Sequence, residues 1–254
     1  MSVHALAVRA ATIGGPLARL DPRSRVLAAV ALVVTIATLH RLDVLLCAVA
    51  GAGALALVSG QPLRALGHRL LHLEGFMAAL LLLLPFTMPG APLLTLGPIA
   101  ASEAGVLRSL DIVLTVNGCA LVVFALLAAL DPVHLGQACA RLGVPQRLVQ
   151  TFLLTVRYGA VFRAEIRRLT ESMRVRGFAP GTNRHTFRTY GNLAGMVLVR
   201  SLERAERVDE AMRCRGYSGR LPIGHAGRFG RADLLFGFAV LAAACALVGA
   251  DRLL

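Results

Sequence analysis

Two segments set glutamate, methionine, arginine, glycine and an aromatic residue at identical offsets. They are Glu171-x-Met173-Arg174-x-Arg176-Gly177-Phe178 and Glu210-x-Met212-Arg213-x-Arg215-Gly216-Tyr217, 39 residues apart. A guanidinium makes planar, bidentate hydrogen bonds to carboxylates, and a neighbouring aromatic ring supplies an apolar anchor for a groove. That is recognition chemistry rather than bond-making chemistry. Ordinary helix C-termini account for part of the pattern. Arginine in the last turn complements the negative end of the helix dipole, worth about 0.3–1 kcal/mol, and glycine caps it. Repetition of Met and the aromatic at fixed offsets points further, to one device used on two equivalent partners.

No other constellation competes as a site. The chain contains no lysine, so the phosphate-cradling pattern GxxxxGK[ST] is impossible. No Ser/His/Asp or Cys/His cluster supports hydrolysis, so the chain reads as a non-enzyme that binds no cofactor. His68 and His72 stand at i,i+4 near Glu74, which is metal-ligand spacing, but they lie in a basic juxtamembrane segment where histidine is common. Ser2-Val3-His4 could wrap a divalent metal only if Met1 is removed. No metal site is expected. Cys47, Cys119, Cys139, Cys214 and Cys245 are scattered without a CxxC pair, and three sit in apolar runs as small hydrophobes.

The elements that must position the paired motif belong to a membrane protein. Of 254 residues, 56% are hydrophobic and 16% charged, and the mean hydropathy is +0.68. A soluble domain carries about a quarter charged residues. Five apolar segments stand out: Val26–Leu39, Leu42–Val58, Gly75–Met88, Ile112–Leu130 and Leu234–Ala250. A perpendicular helical span needs about 20 residues. The shorter runs reach that by extension, the first through Leu42 and the third back through Leu70. Arg9, Arg19, Arg23 and Arg25 precede the first run without a small-residue cleavage pattern, so it reads as a retained anchor. Polar groups within the runs are few, and no array suits a proton relay.

Charge orients these spans. Net charge is +13, and 18 of the 27 arginines lie between Arg141 and Arg231 against six acids. The segment Gly60–Glu74 holds Arg64 and Arg69, whereas Met88–Leu107 holds none. A cytoplasmic N-terminus puts every arginine-rich connection inside, as the positive-inside rule requires. The long stretch Asp131–Asp233 is then cytoplasmic. Within it, a helix starts after Pro145, carries the stripe Phe162, Ile166, Leu169 and Met173, and ends at Gly177. Pro180-Gly181-Thr182-Asn183 makes a turn. A second helix carries Leu193, Val197, Ser201, Ala205, Val208 and Met212 and ends at Gly216. The fold class is all-α: about five spans plus a cytoplasmic pair of amphipathic helices. The expected domains are 1–130 (four spans), 131–233 (the helix pair) and 234–254 (the last span).

The paired ends Val175-Arg176-Gly177 and Cys214-Arg215-Gly216 resemble the two signature motifs of the transmembrane T component of energy-coupling-factor (ECF) transporters. Asp21-Pro22-Arg23-Ser24-Arg25, Arg141-Leu142-Gly143-Val144-Pro145 and Arg157-Tyr158 resemble the CbiQ family, the cobalt/nickel branch, and the resemblance runs from about residue 15 to the end. Val175 and Cys214 replace the usual alanine before Arg-Gly.

The resemblance implies a coupling subunit of an ABC-type importer in the cell inner membrane. Its partners would be two copies of an ATPase subunit and a membrane substrate-binding (S) subunit, with ATP held on the ATPases. Val175, Arg176, Gly177 and Phe178, and Cys214, Arg215, Gly216 and Tyr217, would meet the ATPases, supported by Met173, Arg174, Met212 and Arg213. The implied cargo is cobalt or nickel, as for cobalamin biosynthesis, with a vitamin such as biotin as the alternative. Two rival readings are a permease lining its own substrate path, and a membrane-anchored basic module for nucleic acid or anionic lipid. Bare spans oppose the first, and the lack of a recognisable nucleic-acid fold opposes the second, so no nucleic-acid partner is expected.

Overall fold

The computed structural model describes residues 17, 20–60, 63–87, 92–96, 99–128, 130–219 and 230–253. The described elements are helices α1 (Pro22–Ala37), α2 (Leu42–Val58), α3 (Leu63–Thr87), α4 (Glu103–Leu126), α5 (Pro132–Arg141), α6 (Gln146–Val175), α7 (Arg184–Cys214) and α8 (Arg231–Leu253), with strands β1 (Pro92–Leu96) and β2 (Ile99–Ser102). The strands pair antiparallel in one small hairpin between α3 and α4. The fold is otherwise all-α. Among the described residues the chain forms two compact units, one spanning 139–219 and the other taking residues up to 138 together with those from 230 onward.

The larger unit has α1, α2, α4 and α8 around a core of small and branched side chains. Ala28, Ala29, Ile36, Leu45, Ala48, Ala52, Val122, Leu126 and Val240 are buried there. Small residues let helix backbones approach closely, which is how helices associate where lipid removes the hydrophobic drive. At Gly118 an added Cβ would lie 3.2 Å from Val49 Cγ2, and at Gly105 it would lie 2.7 Å from Pro85 Cα. The second approach is backbone against backbone, and it seats the start of α4 on the end of α3. Among the described residues two helices are long and apolar enough to cross a membrane, Glu103–Leu126 and Arg231–Arg252; Leu42–Val58 and Met77–Thr87 are apolar but shorter.

Local signals explain the boundaries. Asp21 caps α1, its side chain accepting from Arg23 N, with Pro22 in the first turn. Ser102 caps α4, accepting from Gly105 N–H at 3.1 Å. The capped starts extend α1, α4 and α8 ahead of their apolar runs. α3 begins at Leu63, so Arg64 and Arg69 are helical, because the segment contains no proline before Pro85 and glycine is tolerated inside a helix. α5 is a further element that the apolar pattern does not reveal. Asp131 Oδ1 accepts from Val133 N–H at 3.0 Å at its start. Gly143, with φ +90, reverses the chain at its end, and Val144 N–H reaches Cys139 O at 3.1 Å.

α8 is fastened at both ends. Asp233 is 4% exposed, and its Oδ1 accepts from Asp21 N–H at 2.7 Å and from the Ser24 hydroxyl at 2.8 Å. Its Oδ2 accepts from Gly230 N–H at 2.9 Å, capping its own helix. At the other end, Asp251 Oδ1 accepts from Arg41 N–H at 3.0 Å and His40 N–H at 3.2 Å. The start of α8 therefore lies at the start of α1 and its end lies at the end of α1. The two helices run parallel.

Candidate functional site

The two signature segments close α6 and α7 with one and the same cap. Arg176 leaves the helix at φ −82, ψ 14, and Gly177 is left-handed at φ +81. Arg215 lies at φ −92, ψ 13, and Gly216 at φ +79. Gly177 N–H donates to Arg174 O at 3.0 Å and Phe178 N–H to Met173 O at 3.1 Å. Gly216 N–H donates to Arg213 O at 3.0 Å and Tyr217 N–H to Met212 O at 3.1 Å. This is the Schellman pattern, in which the residue after glycine returns to the carbonyl five positions earlier. The offset from Met to the aromatic is the register of that cap, and an apolar pair at those two positions commonly accompanies it. Capping thus explains Met, Gly and the aromatic together, more than the sequence alone assigns to it.

Capping leaves the arginines and the residue before them unexplained. Val175 is 88% exposed at the very end of α6. Arg174, Arg176, Cys214, Arg213 and Arg215 are exposed as well. Arg213 pairs with Asp209 at 2.7 Å, while Arg174, Arg176 and Arg215 form no side-chain ion pair with a described residue. The first end therefore offers two guanidinium groups without an ion-pair partner among the described residues, and the second offers one, Arg215, beside the paired Arg213; each adds one small apolar side chain exposed to solvent. The aromatics face the chain itself. Phe178 stacks edge-on against Tyr190 at 5.7 Å and lies 6.4 Å from His185. The Tyr217 hydroxyl donates to Gln150 Oε1 at 3.2 Å.

The position of the ends follows from the pairing of α6 with α7. Gln150 meets Tyr217, and Glu165 is ion-paired with Arg200. Between those stations Leu154, Tyr158 and Phe162 share a cleft of about 260 Å³ with Ala205, Val208 and Met212. As the number rises on one helix it falls on the other, so the helices run antiparallel. Phe162 of the first stripe read from the sequence, and Ser201, Ala205, Val208 and Met212 of the second, line this cleft, whereas Ile166 of the first stripe is exposed. Asn183 caps α7 by accepting from Thr186 N–H at 2.8 Å, which fixes the turn between the helices. Arg176 sits at the turn end of this hairpin and Arg215 at the opposite end, beside Gln150. At 1.5 Å rise per residue, the 26 residues from Gln150 to Arg176 separate the two ends by about 40 Å.

The remaining sequence-derived candidates are less developed. Arg157 lies 5.9 Å over the ring of Tyr158. His68 is exposed, whereas the His72 side chain and residues 2–4 lie outside the described residues. Among the described residues no three possible metal ligands cluster. Asn117, a polar residue inside the fourth apolar run, donates to Val113 O in its own helix at 3.0 Å. Asp233 and Asp251 were not among the residues expected to matter. The signal for Asp233 was an acid in the first turn after a glycine, a common helix-start pattern.

A profile of the family described as CbiQ, cobalt transport protein, matches residues 15–224. The chain belongs to the CbiQ cobalt transport protein family. The match covers both signature ends, the α6–α7 hairpin and helices α1 to α5, and stops before α8. CbiQ proteins are transport proteins rather than enzymes. A search of curated proteins gives no match to the chain.

Proposed function

We propose that this CbiQ protein is the transmembrane coupling subunit of an ECF-type importer, transmitting ATPase motion to a membrane substrate-binding subunit. The observation that carries the reading is the hairpin. Two identical caps present Val175-Arg176 and Cys214-Arg215 at opposite ends of one antiparallel pair, about 40 Å apart. A dimeric ATPase offers two equivalent grooves, and a rigid bar with a like handle at each end suits it. Arginine in each groove would pair with carboxylates, and ATP stays on the ATPases. Arg176 and Arg215 act in mechanical contact rather than in substrate contact.

The hairpin also carries a surface for the other partner. Leu148, Phe152 and Ile166 on α6, and Phe187, Leu198 and Leu202 on α7, are exposed. Spacings of 4 and 14, and of 11 and 4, hold each set on one flank of its helix. Antiparallel pairing brings the two flanks to the same side, where a membrane subunit would be met. Parallel α1 and α8 accord with a chain that enters the membrane from the inside at both helices. The positive-inside rule makes the N-terminus and hairpin cytoplasmic; the chain spans the inner membrane about five times, with segments 1–130, 131–233 and 234–254, the first and last packing as one unit. Cobalt is the cargo by family, with nickel or a vitamin decided by the substrate-binding subunit.

Replacing Arg176 and Arg215 together by glutamate tests the proposal. Membrane insertion should persist while the ATPases fail to co-purify and uptake stops. Retention of both partners and of uptake would refute it.

A further inference from the structure

The two signature ends share a cap but are fastened by different chemistry, and this difference deepens the coupling reading on which it rests. At the first end, Phe178 has no hydroxyl and packs on His185 and Tyr190, residues just beyond the turn. At the second end, Tyr217 reaches back 67 positions to Gln150 in the first turns of α6. Gln150 is 8% exposed, and both ends of its amide are used. Its Oε1 accepts from the Tyr217 hydroxyl, and its Nε2 donates to Gly219 O at 3.2 Å. Gly219 is left-handed at φ +88, which turns the chain so that its carbonyl can receive that bond.

We propose that Gln150 and Tyr217 are positioning residues for the second ATPase handle. Their hydrogen bonds hold Cys214 and Arg215 in a fixed orientation on the start of α6, so the second handle moves with α6 as well as with α7. The first handle, at the end of α6, is held to the first turns of α7 by ring packing alone, with no such hydrogen bond. The two handles are alike in recognition and unlike in attachment. A buried amide that loses one partner keeps the desolvation penalty of the unpaired atom, which makes this clasp sensitive to the loss of a single oxygen.

The repeat supplies its own control, because Tyr217→Phe installs the residue that the first end uses. The full chain is purified in detergent and titrated with the ATPase pair of its transporter, and its thermal midpoint is recorded. Tyr217→Phe should weaken ATPase binding about three- to tenfold, the worth of one hydrogen bond, whereas Phe178→Tyr should leave it unchanged. Combining Tyr217→Phe with Gln150→Leu removes both members of that bond and leaves the carbonyl of the exposed Gly219 to water, so the thermal midpoint should recover without restoring affinity. Wild-type affinity for Tyr217→Phe, alongside a loss for Arg215→Glu, would overturn the clasp and leave the coupling reading intact. Wild-type affinity for Arg215→Glu would overturn both. Recovery of affinity together with stability in the double variant would reduce the pair to a folding contact.

Discussion

Replacing Gly177 isolates the backbone contribution to a signature end. At φ +81 the residue occupies the left-handed region, and a Cβ added there would meet no heavy atom within 4 Å. Steric crowding from neighbours is therefore absent, and the whole cost is conformational. An L-residue held left-handed costs about 1–2 kcal/mol, more when the side chain is β-branched, and asparagine is tolerated best. At about 1.4 kcal/mol per tenfold, Gly177→Ala should disfavour the capped end by about 5- to 30-fold. Gly177→Val should lie beyond that range and Gly177→Asn should fall short of it. The end is exposed, so the thermal midpoint should move little, whereas ATPase affinity should fall in the order Asn, Ala, Val. Titration of the purified variants with the ATPase pair reads this order directly. Equal, wild-type affinity for all three would refute the view that the cap sets the orientation of Arg176.

Further outcomes follow from the larger unit and from the hairpin. Gly105→Ala would put a Cβ 2.7 Å from Pro85 Cα and 2.9 Å from Leu84 O, where backbone cannot yield, so a loss of about 1–3 kcal/mol should appear as a lowered unfolding midpoint in detergent. Gly118→Ala meets only the Val49 and Ile36 side chains and should cost less in the same assay. Asp233→Ala strips the acceptor from the buried Asp21 N–H and from the exposed Gly230 N–H, while the Ser24 hydroxyl keeps Asp21 O at 2.7 Å, so the orphaned Asp21 N–H should cost about 1–3 kcal/mol in chemical denaturation. Glu165→Gln breaks an ion pair whose Arg200 side chain is 48% exposed, so its effect on stability should stay below about 1 kcal/mol.

Helix existence was legible wherever apolar content or period was strong. α2 spans the same residues as its apolar run, and α6 starts just after Pro145 as the proline implies. The glycines that end α6 and α7 were legible because Gly-aromatic after an arginine-bearing turn has one economical backbone solution. Starts were less legible, since α1, α4 and α8 begin at polar caps that hydropathy does not see. α5 was hidden for the same reason: it is short, and its identity lies in Asp131-Pro132 and Gly143 rather than in its side-chain pattern. At the site, the motif residues were readable but the direction of the aromatics was not. Phe178 and Tyr217 turn toward Tyr190 and Gln150, contacts that depend on the antiparallel register of two long helices. The same holds for Asp233 and Asp251, whose partners lie more than 200 positions away. Long-range hydrogen bonds leave no periodic trace in a sequence.

Both exposed ends of the hairpin are proposed as handles for the ATPases. Photo-crosslinking from position 175 and from position 214 in the assembled membrane complex tests it most directly. Each position should capture an ATPase subunit, and a chain carrying both probes should yield a product of one chain with two ATPases. Crosslinks from these positions to lipid or to the substrate-binding subunit, with neither capturing an ATPase, would contradict the account.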